Sequence, residues 1–419
     1  MNDVVVTGMG IVSPLGIGTE VFWENWLAGK SGVRYRAGLE ETREAHKLFA
    51  NIEGFDGKQY INPRKAIKVM CDPIQYGFAA ANMAFSHAGL KTGEVEPDRL
   101  STLFGSETFY SNPFEVTGIF SKCVVDHNFI FERWGQHFMR EIEPLWMLKY
   151  LPNMVASHLS IAYDARGPSN TICQSEAGGA LAVAEGISLI RRGATDVVIA
   201  GGTGSPGFLT KSLYIGDSHL SHLVDNPEKA CRPFDKQREG MVGGEGAACL
   251  ILEKRENAGL RNVEILAELP AVYFGFAQSN RESLTAGIAY ALHRVLNQTG
   301  IGAAQVSHVM ASGYSTKIDD AAEASAIKEV LGDVPVITCK ANVGNIGPAT
   351  GILEIAGSIL ASRHHVLPHV LNYEVPDEAC PVQVVRGEPK RLDKSRPLYS
   401  IALCHAQTGQ IVATSICVR

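Results

Sequence analysis

The segment Gly167-Pro168-Ser169-Asn170-Thr171-Ile172-Cys173-Gln174-Ser175-Glu176-Ala177-Gly178-Gly179 places a β-rich stretch directly before a run of small residues that opens a helix. A turn of this kind presents one side chain at a helix N-terminus. Free N–H groups and the helix dipole there stabilise negative charge, one route to a reactive thiolate. Spacing alone also fits an ordinary strand-to-helix turn. Other motifs carry less. Gly8-Met9-Gly10-Ile11-Val12-Ser13 lacks the third glycine of a dinucleotide fingerprint, and no strand ending in an acidic residue follows at the expected distance. His219 with His222, and His364, His365 and His369, sit in no metal-binding frame. We expect neither a metal nor another cofactor.

The elements that must position this turn follow from periodicity. Strands are expected at 3–7, 102–105, 170–173, 196–200 and 246–252, and helices at about 19–28, 74–89 and 177–192, with Thr19 as an N-cap. Near the polar stretch Glu253–Asn257 the pattern restarts. It gives strands at 263–272, 308–313, 334–338, 398–404 and 411–418, and helices at 283–296, 320–331 and 352–362. We therefore divide the chain into halves, 1–255 and 256–419, related by internal duplication and fused into one compact unit. Alternating strands and helices predict largely parallel sheets covered by helices.

The chain has 419 residues, 38 basic and 44 acidic, for a net charge of −6. That balance argues against a nucleic-acid partner held through phosphates. Apolar runs are too short to span a membrane, and Met1–Val6 does not read as a signal peptide. Nine scattered cysteines without a Cys-x-x-Cys pair suit buried thiols in a reducing cytoplasm.

Taken together, the motifs resemble the β-ketoacyl synthases of fatty acid and type II polyketide synthesis. The resemblance rests on Val6-Thr7-Gly8-Met9-Gly10, Gly167-Pro168-Ser169, Asp196–Gly202, Arg232-Pro233-Phe234-Asp235 and Arg238-Glu239-Gly240-Met241-Val242-Gly243-Gly244-Glu245-Gly246-Ala247. It implies an α/β, thiolase-like fold: two pseudo-duplicated halves forming a layered α-β-α-β-α core.

The resemblance also locates departures from the family. Its nucleophilic Cys falls at Glu176. Cys173 is out of register and is expected to be a buried structural residue on the incoming strand. The first family His becomes Ser312, ahead of the retained acids Asp319, Asp320 and Glu323. The second becomes Asn345, although Lys340 is kept. The C-terminal glycine loop is degraded to His405-Ala406-Gln407-Thr408-Gly409. Condensation needs a thiolate and donors to the enolate oxygen, and no catalytic residue is intact. We expect Glu176 to form an ion pair with Lys340 that seals the pocket.

A paralogue of this kind, called the chain length factor, pairs with an active ketosynthase in type II polyketide systems. It usually carries Gln-Ala-Gly-Gly at the Cys position, and this chain has Glu176-Ala177-Gly178-Gly179. The resemblance thus implies a catalytically degenerate subunit that shapes the tunnel for a poly-β-ketoacyl chain. Acyl carrier protein, with phosphopantetheine-bound malonyl or polyketide, would be a further partner. The aromatic stretch 107–138 by itself reads as helix core. In the resembled family it borders the interface and tunnel, which makes Phe109, Tyr110, Phe114 and Phe120 the candidates. Two other readings stay open: a homodimeric malonyl-carrier decarboxylase or condensing enzyme using Cys173 or Glu176, and a non-enzymatic module binding acyl chains or carrier protein.

Overall fold

The computed structural model describes residues 3–36, 47–107, 112–204, 215–278 and 280–419. Phe109 and Tyr110 lie outside them.

The first half is built from β1 (Val4–Ser13), α1 (Thr19–Leu27), α2 (Asp72–His87), β2 (Leu100–Gly105), α3 (Thr117–Lys122), α4 (Phe131–Glu141), α5 (Met154–Tyr163), β3 (Ser169–Ile172), α6 (Gly178–Arg191), β4 (Val197–Gly204) and β5 (Gly246–Lys254). The second contains β6 (Ala267–Phe276), α7 (Arg281–Thr299), β7 (Val306–Met310), α8 (Lys317–Leu331), β8 (Pro335–Ile337), α9 (Thr350–Arg363), β9 (Leu398–His405) and β10 (Gln410–Val418). Every principal element read from periodicity is present. Thr19 is not a cap, however. Gly18 holds that position with φ of 100°, and no side chain caps the helix. Phe22, Trp23 and Trp26 are buried, as their spacing requires.

The strands run in the order β8-β7-β9-β10-β6-β1-β5-β4-β2-β3. Read outward from the β1–β6 junction, each half repeats one scheme. In the first, β1 and β5 are antiparallel, as are β5 and β4, while β4, β2 and β3 run parallel. In the second, β6, β10 and β9 are successively antiparallel, while β9, β7 and β8 run parallel. This repetition is the duplication seen in the sequence. The expectation of largely parallel sheets needs correcting, because four of the ten principal strands are antiparallel to their neighbours on both sides. Between β9 and β10 the reason is local. The turn Ala406–Gly409 closes a hairpin, and a connection that short cannot make a crossover.

Five layers result. The helix α2 covers the outer face of the first half, and α7 with α8 the outer face of the second. Between the halves lie α6 and α9, packed on one another and on both sets of strands. The largest apolar cluster is centred on this pair, drawing Val183, Ile187, Ile352 and Ile359 against Leu250 and Ala402. Both helices begin deep in the molecule, and their N-termini carry the candidate site.

Candidate active site

The approach to α6 is tightly constrained. Ser175 takes the left-handed conformation with φ of 44°, unfavourable for a residue with a Cβ. It turns the chain so that Glu176 points inward, 6% exposed. The glycines around it are steric requirements. A Cβ on Gly105 would stand 2.3 Å from Gly179 N, and one on Gly179 would stand 2.5 Å from Pro348 O. Only bare backbone lets the start of α6 touch both β2 and the turn before α9.

Opposite stands Asn345. Its Nδ2 donates to Glu176 Oε1 at 2.9 Å. Its Oδ1 accepts from Gly347 N at 3.1 Å, which fixes the amide orientation. The backbone of Asn345 is held by the glycine-rich signature: its N–H donates to Val242 O, and Gly244 N–H donates to Asn345 O. That signature therefore aims the Asn345 side chain. Glu176 Oε2 has no hydrogen-bond partner among the described residues.

Lys340 does not reach Glu176 as a partner, and the expected ion pair is not formed. Its Nζ lies 3.2 Å from Glu354 Oε1, both side chains being buried. The turn 344–349 folds α9 back beside Lys340 and delivers a carboxylate from its second turn. Burial pushes the Glu354 carboxyl up to about 7 against the pull of Lys340. For Lys340, burial works against the ammonium, but its negative surroundings, Glu354 foremost, together more than offset it and the net shift is upward. The ammonium also stands 4.7 Å over the Tyr314 ring.

Ser312 is completely buried and its hydroxyl is engaged. It donates to Leu403 O at 3.2 Å and accepts from His405 N at 3.3 Å. The retained Glu323 accepts the backbone N–H groups of Ser312 and Gly313, at 2.8 and 2.9 Å. Asp320 accepts from the N–H groups of Ser315 and Phe234, and burial raises its carboxyl to about 7.

Three neighbours were given no role at the site by the sequence reading. Tyr314 is fully buried and donates its hydroxyl to His405 O. His405 brings an imidazole into this region from β9, edge-on to Tyr314 at 4.9 Å and 3.9 Å from Glu323 Oε2. Burial opposes its protonation, but the surrounding carboxylates, Glu323 foremost, together outweigh it and the shift is upward. Cys404, on the opposite face of β9, donates to the backbone O of Glu176 at 3.3 Å. Strand alternation assigns Cys404 and His405 to opposite sides, but only the β9 register says which side meets the site.

Cys173 corrects another expectation. It lies just past the end of β3 and is exposed rather than buried. Seven of the other eight cysteines are buried, and all nine are free thiols. Phe114 and Phe120 are 78% and 49% exposed. Phe120 stacks on Phe129 at 4.9 Å, and a ladder of rings continues through Trp134, Phe138 and Trp146. The stretch is therefore not an ordinary helix core, since α4 has no buried residue. Among the described residues no group of side chains could hold a metal ion, and no helix is long and apolar enough to cross a membrane.

The family described as beta-ketoacyl synthase, N-terminal domain, matches residues 1–258, and its C-terminal domain matches residues 271–374. The 3-oxoacyl-[acyl-carrier-protein] synthase 2 of Coxiella burnetii is 31% identical over 402 residues, covering 93% of this chain and 92% of its own. The putative polyketide beta-ketoacyl synthase 1 of Streptomyces halstedii is 30% identical over 404 residues, covering 92% of each. Among solved structures, the ishigamide ketosynthase/chain length factor superposes with a TM-score of 0.84 at 24% identity, over 100% of this chain and 99% of that one. With both halves of the family pattern and the thiolase-like layering in place, the chain belongs to the β-ketoacyl synthase family.

Proposed function

We propose that this chain is a chain-length-factor-like subunit. It pairs with a catalytic ketosynthase in the reducing cytoplasm and lines part of the tunnel in which a poly-β-ketoacyl chain grows. Acyl carrier protein delivers malonyl and polyketide groups on phosphopantetheine, and the partner's cysteine carries the growing chain.

The observation that carries this reading is the hydrogen bond from Asn345 to Glu176 at the elbow. A carboxylate there cannot hold an acyl group as a useful thioester. The amide facing it cannot titrate near neutrality as an imidazole does. Two supports are independent of the site. One outer strand of the sheet, β3, is a short edge whose Ser169 and Asn170 are exposed. The region around α3 and α4 also exposes Phe114, Phe120, Phe131 and Met139, an apolar surface suited to a protein partner.

Intact-protein mass spectrometry after incubation with acyl-loaded carrier protein tests the division of labour. The partner should gain the acyl mass and this chain none. An acyl adduct on this chain would contradict the proposal.

A further inference from the structure

The Glu176 carboxylate is only half engaged. Oε1 accepts from Asn345 Nδ2 at 2.9 Å, and the Asn345 amide is itself held by Gly347 N–H at 3.1 Å. Oε2 is buried and accepts from no described residue. The backbone N–H of Glu176 likewise donates to no described residue, since the hydrogen bond of this turn runs from Ala177 N to Gln174 O. One residue therefore brings a free acceptor and a free donor to the start of α6. With only 6% of the residue exposed, bulk solvent reaches these groups poorly. Buried polar atoms in this condition hold an ordered water.

The neighbouring groups are committed. The Ser312 hydroxyl donates to Leu403 O, and the Tyr314 hydroxyl donates to His405 O. Glu354 Oε2 and His405 Nε2 also lack hydrogen bonds, but each side chain belongs to an ion pair, with Lys340 and with Glu323. Glu176 Oε2 has no cation beside it among the described residues, so it is the oxygen best placed to take a proton from water.

We propose that Glu176 is a general base that hydrolyses acyl thioesters at the head of α6. The water on Oε2 gives a proton to the carboxylate as its oxygen bonds to the thioester carbonyl carbon. The carbonyl oxygen becomes an oxyanion and accepts from the Glu176 N–H at the positive end of the helix. As the tetrahedral intermediate collapses, the C–S bond breaks and the Glu176 carboxyl passes its proton to the departing sulfur. One water is consumed, and one carboxylic acid and one thiol are released. Direct attack by the carboxylate is disfavoured, because a mixed anhydride is a stronger acyl donor than the thioester it would replace. This activity goes beyond the subunit reading and does not depend on it.

Thiol release from acetyl- and hexanoyl-pantetheine tests it, in the chain purified with whatever partner accompanies it. All variants carry Cys173→Ser and are treated with iodoacetamide, which silences a partner's cysteine and leaves Glu176 untouched. Glu176→Gln should lower the rate by about a hundredfold. Glu176→Asp, which draws the carboxylate back from the water, should fall part of the way. Turnover in heavy-oxygen water should label the released acid and leave the Glu176 peptide unlabelled. That result and the Asp variant decide the matter if Glu176→Gln does not fold. No hydrolysis above the uncatalysed rate, an equal rate in the Gln or Asp variant, or label in the Glu176 peptide would overturn the proposal. Partner recovery tests the subunit reading separately, so either can fail alone.

Discussion

Asn345 and Glu176 face each other from the turns that open α9 and α6, joined by a 2.9 Å hydrogen bond from amide to carboxylate. In the function proposed above, each stands where an active ketosynthase would carry a catalytic group. The two substitutions are complementary, because the amide donates to the oxygen that the carboxylate brings into a buried turn. A buried carboxylate without such a donor is costly.

That relationship predicts unequal effects for two conservative-looking changes. Asn345→Ala leaves Glu176 without the one side-chain donor it has among the described residues and should cost about 2–3 kcal/mol of stability. Glu176→Gln keeps an acceptor for Asn345 and removes the buried charge, so stability should be unchanged or rise by about 1 kcal/mol. Urea denaturation of both variants checks the pair. Equal losses would mean that the contact matters only for packing.

Lys340 and Glu354 form the ion pair that Glu176 does not. Lys340→Met strands a buried carboxyl and should destabilise by about 3–5 kcal/mol, whereas Lys340→Met with Glu354→Leu should recover much of that loss. A double-mutant cycle by chemical denaturation measures the coupling. Additive effects would show that the two groups are independent.

The pH dependence of stability follows from the buried carboxyls. Glu354 and Asp320 both ionise near 7 in the folded chain, through burial. In the unfolded chain they ionise in the ordinary carboxylate range. Between about pH 4.5 and 7 the folded chain therefore holds protons that the unfolded chain has lost, and stability falls as pH rises through this window. His405, raised by Glu323, acts in the same direction near neutrality. The denaturation midpoint should drop from pH 5 to pH 8, and Glu354→Gln should make that drop shallower. A midpoint rising over the same range would refute the assignment.

The exposed apolar face around α4 should bind the partner. Phe131 and Met139 are both exposed, so replacing either with Asp should leave the fold intact by circular dichroism. The same change should weaken association by about 2 kcal/mol or more, roughly thirtyfold. Unchanged affinity, read by sedimentation, would move the interface elsewhere.

Much of the fold was legible because periodicity and glycine placement are local signals. The buried strand Val197–Gly204 and the helix Gly178–Arg191 are examples. Strand sense was less legible. The antiparallel pairing of β1 with β5 joins residues almost the full half apart, and no local pattern encodes it. At the site, resemblance located Glu176, Ser312, Lys340 and Asn345 by position. The partners of Lys340 and Glu176 depend on how the turn 344–349 folds back, which spacing does not reveal. His405 stayed hidden for a related reason: the face it meets is set by the β9 register. Cys173 read as buried because it was placed on the incoming strand, yet that strand is a sheet edge and ends at Ile172.

In the function proposed above, this chain works beside a catalytic ketosynthase rather than alone. Native mass spectrometry of the tagged chain recovered from its own host tests it most directly. The expected result is a 1:1 complex with a second chain of similar mass that carries a reactive active-site cysteine. A homodimer with no such partner would contradict it.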